Sequence, residues 1–489
     1  MILKILGHRF HYEIENLCRV FYPFEKIRTV FIDEPHDDPR NVTTVLAKQA
    51  GRIQMLVRAQ IDGDLKEEKC LLDADEGENE QERRMAVALY RVLSECTGYL
   101  PGWGILTGVR PSKLMSTLIA AQGEEEAKRR FSLDLLVSEE KTELSFQVAK
   151  VEEGIIKESA PDRFSLYVSI PFCPTRCSYC SFVSHSIANS NAKKLVPVYV
   201  ENLCRELEET GRTAEELGLS LDTVYIGGGT PTSLDEDSLE KVLTALDGCF
   251  SIGSVKEYTV EAGRPDTVNE AKLKILKNHA VSRISVNPQS FNDEVLEAAG
   301  RKHTAKDAYD AYRLAKKMGF QAINMDLITG LPKDSTAGFG KSLDAALALS
   351  PENITVHTLA LKRSAFLSRR PAGFPDAEDV ADMLDMCYGR LPETGYLPYY
   401  MYRQSRSLGN LENVGWCKPG REGRYNVVMM EECQTVLSAG AGAVTKLKQP
   451  NGSVIERIFN FKYPYEYNSR FDEIIKRKSR ITDFFKTYK

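Results

Sequence analysis

Between residues 164 and 358, short apolar runs alternate with segments of helical spacing, and this restricts the fold more than any other feature of the 489-residue chain. FSLYVSI (164–170), DTVYI (222–226), EYTVE (257–261), SRISV (282–286), QAINMDL (321–327) and NITVHTL (353–359) read as strands. Helical spacing fills the intervals near 192–217, 235–248, 266–278, 293–318 and 336–349. Strands alternating with helices imply parallel βαβ units, and six in a row imply either a partial barrel or a doubly wound sheet. Periodicity alone does not separate the two. In either fold, reactive groups gather at the C-terminal ends of strands. The unusual polar residues fall there. A cysteine loop follows the first strand and GGGTPT (Gly227–Thr232) the second, Glu261 ends the third, and Asn287 and Gln289 follow the fourth. Asp326 is expected to end the fifth strand and His357 the sixth. Candidates at six strand ends point to one shared mouth.

The cysteine loop reads PFCPTRCSYCSF, with Cys173, Cys177 and Cys180 in C-x3-C-x2-C spacing. Three cysteines in a proline-bearing loop are poor core material, although single cysteines often are buried hydrophobes. Zinc, with His185 as a fourth ligand, would favour paired C-x2-C spacing. A [4Fe–4S] cluster fits better, because closely spaced thiolates reach several irons of one cube. Three ligands leave one iron open to a small molecule. An amino acid can bind there by its amine and carboxylate, and S-adenosylmethionine offers such a pair. One electron from the cluster then breaks a C–S bond and yields a 5′-deoxyadenosyl radical, with the protein supplying placement.

C-x3-C-x2-C with Tyr179 inside it, followed by GGGTP on the next strand, resembles the radical SAM superfamily. LYVSIPFC, TVYIGGGTPT, PQSF, GRKH and NMDLITGLP narrow the resemblance to the oxygen-independent coproporphyrinogen III oxidase group. VEAGRPDT, RISVNPQS and YRQSRSLGNLENVGWCKPG look most like its HemZ branch. The resemblance implies a partial (β/α)6 TIM-type barrel, α/β in class, with an N-terminal α/β domain and a C-terminal α+β extension. It implies Cys173, Cys177 and Cys180 as cluster ligands, and Tyr167 and Glu261 as catalytic and cofactor-contacting residues. Tyr179, Gly228, Gly229 and Thr230 would touch the first S-adenosylmethionine; Gln289, Arg301 and Asp326 match contacts to a second. Ala360 and Val444 align with apolar cofactor contacts. The implied reaction is oxidative decarboxylation of coproporphyrinogen III, with one or two S-adenosylmethionine molecules and a flavodoxin- or ferredoxin-type electron donor.

Plainer roles compete at several positions. The glycines can make a tight turn, or their free N–H and C=O groups can hold the methionine end of the cofactor. Glu261 can pair with Arg264 or Arg283, and Arg301 with Asp326. Tyr167 and Tyr179 can be packing residues, and His303 and His357 structural histidines. The chain also departs from the oxidase pattern: Ser169 stands where the best-known members have His, and Phe182 replaces a fourth cysteine. The haem-chaperone branch shares the latter feature, but its H-N-x-x-Y-W pattern is absent where residues 424–430 read RYNVVMM.

Composition adds limits. A net charge of −5 does not suggest a nucleic-acid binder. No apolar run reaches the roughly 18 residues of a membrane span. The 11 cysteines, without an export signal, argue against a disulfide framework and for a cytoplasmic protein. The expected organisation is an N-terminal α/β domain over 1–110, a helical connector over 111–160, the barrel over 161–365 and a C-terminal domain over 366–489. VTTVLAKQAGRIQMLVRAQIDG reads as a hairpin, and the six acids from Asp73 to Glu82 as a solvated loop. Lys362, Arg363, Arg369, Arg370, Arg403 and Arg406 are candidate anchors for the carboxylates of a tetrapyrrole.

Overall fold

The computed structural model describes residues 1–489 except 24, 32–38, 50, 183, 361–372, 405–406 and 489. The chain forms two compact units, one of Met1–Ala149 with Tyr402–Leu411, the other of Lys150–Met401 with Glu412–Lys489.

In the first unit, Arg28–Val30, Ile2–Leu6, Arg40–Gln49, Arg52–Ile61 and Asp64–Asp73 form a sheet in that order. Arg40–Gln49 and Arg52–Ile61 make the expected antiparallel hairpin. Apolar alternation along Arg52–Ile61 buries Ile53, Met55, Val57 and Ala59 against helices His11–Phe21 and Glu78–Thr97. The acidic run is only partly a loop. Glu78 and Glu80 lie in the first turn of the second helix, where carboxylates meet the positive end of its dipole.

The second unit carries the six expected strands: β1 (Arg163–Ile170), β2 (Ser220–Gly228), β3 (Glu257–Glu261), β4 (Arg283–Ser285), β5 (Ala322–Thr329) and β6 (Asn353–Thr358). Between them run α1 (Ser190–Glu216), α2 (Glu236–Cys249), α3 (Glu270–Asn278), α4 (Asp293–Ala298), α5 (Ala305–Lys317) and α6 (Thr336–Leu349). β1 to β6 pair in sequential order, all parallel. A doubly wound sheet would reverse its strand order at a switch point. This one does not, so the partial-barrel reading holds.

After β6 come α7 (Ala377–Glu393), β7 (Leu397–Arg403), β8 (Glu412–Cys417), α8 (Arg424–Glu431), β9 (Thr435–Ala439), β10 (Val444–Lys448), β11 (Ile455–Phe459), α9 (Pro464–Ser469) and α10 (Phe471–Thr487). β8 adds antiparallel to β6. β9 adds parallel to β1, and β10 and β11 extend that edge antiparallel. The sheet is therefore capped on both edges rather than closed.

Alternation along each strand sorts its side chains. On β1, Phe164, Leu166 and Val168 are buried apolar residues, while Ser165, Tyr167 and Ser169 take the opposite face. That face is polar along the sheet: Thr223 Oγ1 donates to Ser165 Oγ (2.8 Å) and Thr355 Oγ1 to Asn324 Oδ1 (3.0 Å). At the N-terminal ends of the strands, Glu257 accepts from the N–H groups of Arg424 (2.7 Å) and Tyr425 (3.3 Å), capping α8. Arg283 donates to the carbonyls of Arg421 and Glu422, and Asn353 Nδ2 to that of Arg421. Segment 421–425 thus plugs that end of the barrel.

One buried ion pair fastens the C-terminal region to the mouth. Glu206 of α1 meets Lys478 of α10 at 2.9 Å. It also accepts from Tyr467 Oη (2.6 Å), Asn460 Nδ2 (2.7 Å) and the Gly440 N–H (2.8 Å). Breaking a buried pair leaves an uncompensated charge, so Glu206→Ala should cost about 3–5 kcal/mol. Urea unfolding measures this; a loss below about 1 kcal/mol would mean the site takes up water and the pair is dispensable.

Candidate functional site

The cysteine loop leaves β1 at Pro171 and is held on several sides. The Ser178 N–H donates to Ala299 O (3.0 Å) and the Ile187 N–H to Cys173 O (2.9 Å). Arg264 reaches in from beyond β3, with Nη1 3.0 Å from Thr175 Oγ1 and 3.9 Å from Cys177 Sγ. Arg301 reaches in after α4, donating to Tyr179 Oη (3.0 Å), Asn287 O (2.8 Å), Gly263 O (3.1 Å) and Cys177 Sγ (3.9 Å). The Thr230 hydroxyl donates to Cys173 Sγ at 3.5 Å. Burial pushes the Cys173 thiol up and that of Cys180 to about 11. At Cys173 the Thr230 hydroxyl and the Arg264 guanidinium oppose that rise, and the irons of a cluster would complete deprotonation of the thiols that bind them.

The glycine run is built for close approach. Gly228 has φ of 107°, and a Cβ on Gly229 would lie 2.5 Å from Phe172 O. The N–H groups of Gly229 and Thr230 donate to Ile170 O (2.8 Å) and Phe172 O (2.7 Å). The expectation of free N–H groups is therefore corrected for Gly229 and Thr230, whose N–H groups tie the glycine turn to the cysteine strand. A Cβ on Gly227 would meet the Glu261 carboxyl at 3.0 Å, so this glycine makes room for it.

Glu261 accepts from Tyr225 Oη at 2.6 Å. Burial raises its carboxyl to about 7, Tyr225 opposing, Asp326 adding to the rise, and His357 and the Gly228 N–H opposing. Neither arginine weighed as its partner pairs with it: Arg264 holds Asp266 (2.8 Å), and Arg283 lies 3.5 Å from Glu257. Asp326 and Arg301 do not pair either. Asp326 accepts from Asn324 Nδ2 (2.7 Å) and faces His357 Nε2 at 3.6 Å. β5 continues to Thr329, so Asp326 sits within the strand rather than ending it. His303 is structural: it accepts from Arg301 Nε (3.3 Å) on Nδ1, which leaves Nε2 to donate to Pro288 O (3.2 Å).

Tyr167 faces Tyr225 and Tyr425, each with ring centroids 6.3 Å away; Tyr225 and Tyr425 themselves stack at 4.5 Å. Tyr225 was legible in principle, since period-two alternation places it on the same face as Gly227. Tyr425 carried no local signal, arriving from α8. Gln289 follows β4 with φ of 68° and bridges β5 at Leu327. The buried Asn287 Oδ1 and Gln289 Oε1 have no hydrogen-bond partner among the described residues. Two such acceptors at one strand end call for donors from a ligand, as the amine and ribose hydroxyls of S-adenosylmethionine can supply. Ala360 lies just beyond β6, and Val444 begins β10 after the turn that leaves the mouth end of β9. Ser169 donates to Ala441 O of that turn at 2.8 Å, and Phe182 is 63% exposed.

The proposed substrate anchors fare differently. Lys362, Arg363, Arg369, Arg370 and Arg406 lie outside the described residues. Arg403 belongs to the first unit, is buried, donates to the carbonyls of Leu106, Gly108 and Asn410, and stacks over Trp103. These contacts correct its assignment as a carboxylate anchor.

Glu261 generates a stability prediction. Its pKa when folded is about 7 against an ordinary 4.5, so the folded state holds its proton more tightly than the unfolded chain. Its contribution to stability therefore falls as pH rises from about 4.5 to about 7 and is level above that window. Glu261→Gln, which cannot ionise, should gain on the parent by about 2 kcal/mol between pH 5 and pH 8. Urea unfolding at both pH values checks this, and parallel curves would contradict it.

Comparison with known proteins agrees with this geometry. The family profile described as the radical SAM superfamily matches residues 167–346. The protein named oxygen-independent coproporphyrinogen-III oxidase-like protein HemZ of Bacillus subtilis is 34% identical over 506 aligned residues, covering 100% of both chains. The heme chaperone HemW of the same organism is 31% identical over 284 residues, covering 57% of this chain and 70% of its own. The solved structure of coproporphyrinogen III oxidase (HemN) from Escherichia coli shares the fold, with a TM-score of 0.52 at 21% identity over 67% of this chain and 73% of that one. A [4Fe–4S] cluster and S-adenosylmethionine are the characteristic cofactors of the superfamily, and the three thiols and the unpaired acceptors fit them. The chain belongs to the radical SAM superfamily and, within it, to the oxygen-independent coproporphyrinogen-III oxidase-like family.

Proposed function

We propose that the protein carries out oxygen-independent oxidative decarboxylation of coproporphyrinogen III to protoporphyrinogen IX in the cytoplasm. The likeness to the HemZ protein over the full length of both chains carries this reading. When bound, the cluster and S-adenosylmethionine supply hydrogen-atom abstraction from an unactivated carbon. Cys173, Cys177 and Cys180 would hold the cluster, with Arg264 and Arg301 balancing its negative charge at Cys177. Glu261, fixed by Tyr225, would take the ribose hydroxyls or sit beside the sulfonium. Asn287 Oδ1 and Gln289 Oε1 would accept from donors of the bound S-adenosylmethionine.

Haem delivery is the second reading, favoured by the likeness to heme chaperones and by Phe182 in place of a fourth cysteine. Against it, residues 424–430 offer no histidine, and Arg424, Tyr425, Val427 and Val428 of α8 are buried.

Replacing any of the three cysteines by Ala should abolish S-adenosylmethionine cleavage, while the reconstituted parent holds about four irons. Zinc at those thiols, without cluster absorption, would contradict this. Glu261→Gln should keep the cluster and weaken S-adenosylmethionine binding about tenfold or more, because it removes a charge-assisted acceptor. Unchanged affinity by calorimetry would reassign Glu261 to a structural role. Anaerobic incubation with coproporphyrinogen III, a reductant and S-adenosylmethionine should yield protoporphyrinogen and CO2. Cofactor cleavage with intact porphyrinogen, together with tight haem binding, would select the second reading.

A further inference from the structure

We propose that Arg264 and Asp266 form a charge pair that sets the reduction potential of the cluster through Cys177, Arg264 raising it and Asp266 limiting the rise. This rests on a cluster held by the three thiols and is independent of what becomes of a porphyrinogen. Both residues belong to VEAGRPDT, which runs from the end of β3 towards α3. Arg264 is 3% exposed. Its Nη1 lies 3.9 Å from Cys177 Sγ and 3.0 Å from Thr175 Oγ1, within the cysteine loop. Its opposite edge, Nε and Nη2, donates to the two carboxylate oxygens of Asp266 at 2.9 and 2.8 Å. The guanidinium thus bridges a carboxylate and a cluster sulfur. The turn that carries the pair is pinned. The Thr267 N–H and hydroxyl donate to Arg264 O at 2.9 and 2.7 Å. That hydroxyl then accepts from Thr232 Oγ1 (2.7 Å) of the GGGTPT stretch.

Charge at this distance acts on the electron affinity of a cluster. Reduction adds one electron, taking the cube from a charge of 2+ to 1+, and no atom or proton has to move. A buried cation beside a ligand sulfur stabilises the form with the extra electron, and a hydrogen bond to that sulfur acts in the same sense. Burial strengthens both effects, because little water screens them. Cys177 receives two guanidiniums, and they differ. Arg301 donates to Tyr179 and to the carbonyls of Asn287 and Gly263, all uncharged, whereas Arg264 is paired with a carboxylate. Asp266 takes the edge of the guanidinium away from the sulfur, and its side chain is 27% exposed. It therefore offsets only part of the cation's effect. A higher potential makes a cluster easier to reduce but a weaker reductant of a sulfonium. An arginine backed by a carboxylate fixes a value between those two demands.

The test is an anaerobic potentiometric titration of the cluster-loaded protein, read by electron paramagnetic resonance of the reduced cluster, with neither S-adenosylmethionine nor porphyrinogen present. At the potential where the parent is half reduced, Arg264→Gln should hold about tenfold less reduced than oxidised cluster, a midpoint about 59 mV lower for one electron. Asp266→Asn keeps the shape of the side chain and leaves Arg264 uncompensated. It should move the midpoint the other way, with the reduced form about threefold in excess at the same potential. Arg264→Lys keeps a charge and should fall between Arg264→Gln and the parent. Residues that merely held the loop in shape would lower cluster occupancy without giving shifts of opposite sign. Unshifted midpoints, or shifts of the same sign, overturn the proposal. If Arg264→Gln loses its cluster, the shift in Asp266→Asn decides alone: a rise supports the pair and no rise overturns it. A parent that takes up no iron counts against the three thiolate ligands and so against the pair as well, and iron analysis separates that failure from an unshifted midpoint.

Discussion

An open barrel with a polar inner face must satisfy its hydrogen-bonding groups without closing on itself, and in this protein the Glu257 carboxylate is central to that. It accepts from the first two N–H groups of α8 and so holds the 421–425 segment against the N-terminal ends of the strands. Arg283 and Asn353 spend their donors on the same segment. That segment covers the N-terminal ends of the strands, opposite the mouth. There the strand ends present Glu261 and Asn287, and the cysteine loop beside them its thiols. The candidate site and the capping helix thus lie at opposite ends of the same strands.

Much of this was legible in the primary structure, and the reason is local. Each strand and helix of the barrel is a short-range pattern, so boundaries read from 164 to 358 fall within a few residues of those observed. The cysteine spacing and the glycine run are local as well. What escaped was non-local. Tyr425 completes the aromatic stack with Tyr167 from 258 positions away, and neither helical spacing nor turn chemistry around residue 425 announces it. The partners of charged residues escaped in the same way. A pair with Asp326 is one plainer role open to Arg301 from the sequence, but the fold spends it on Tyr179, backbone carbonyls and Cys177. Arg403 shows the hazard of reading basic residues as ligand anchors: a guanidinium's five donors serve backbone carbonyls equally well.

The departures from the oxidase pattern acquire physical meaning in the fold. Ser169, standing where the resemblance expects a histidine, ties β1 to the turn after β9. The GRKH motif supports the cysteine loop: the Ala299 carbonyl before it takes the Ser178 N–H, and Arg301 and His303 lock each other while the arginine reaches Cys177. The glycine run also acts as a clasp, the N–H groups of Gly229 and Thr230 being drawn to the cysteine strand. The parts of the mouth that stay open to a guest are side-chain acceptors rather than backbone donors, which suits a cationic ligand bearing hydroxyl groups.

The bond from Ser169 to Ala441 joins positions 272 residues apart, and the parallel strand Thr435–Ala439 lies directly beside the strand that leads into the cysteines. During synthesis the cysteine loop leaves the ribosome long before its flanking strand exists. The loop's supports from α4 and β2 lie nearer in sequence than the edge strand that steadies β1. A chain interrupted before residue 440 would therefore carry the three cysteines without the strand that flanks β1.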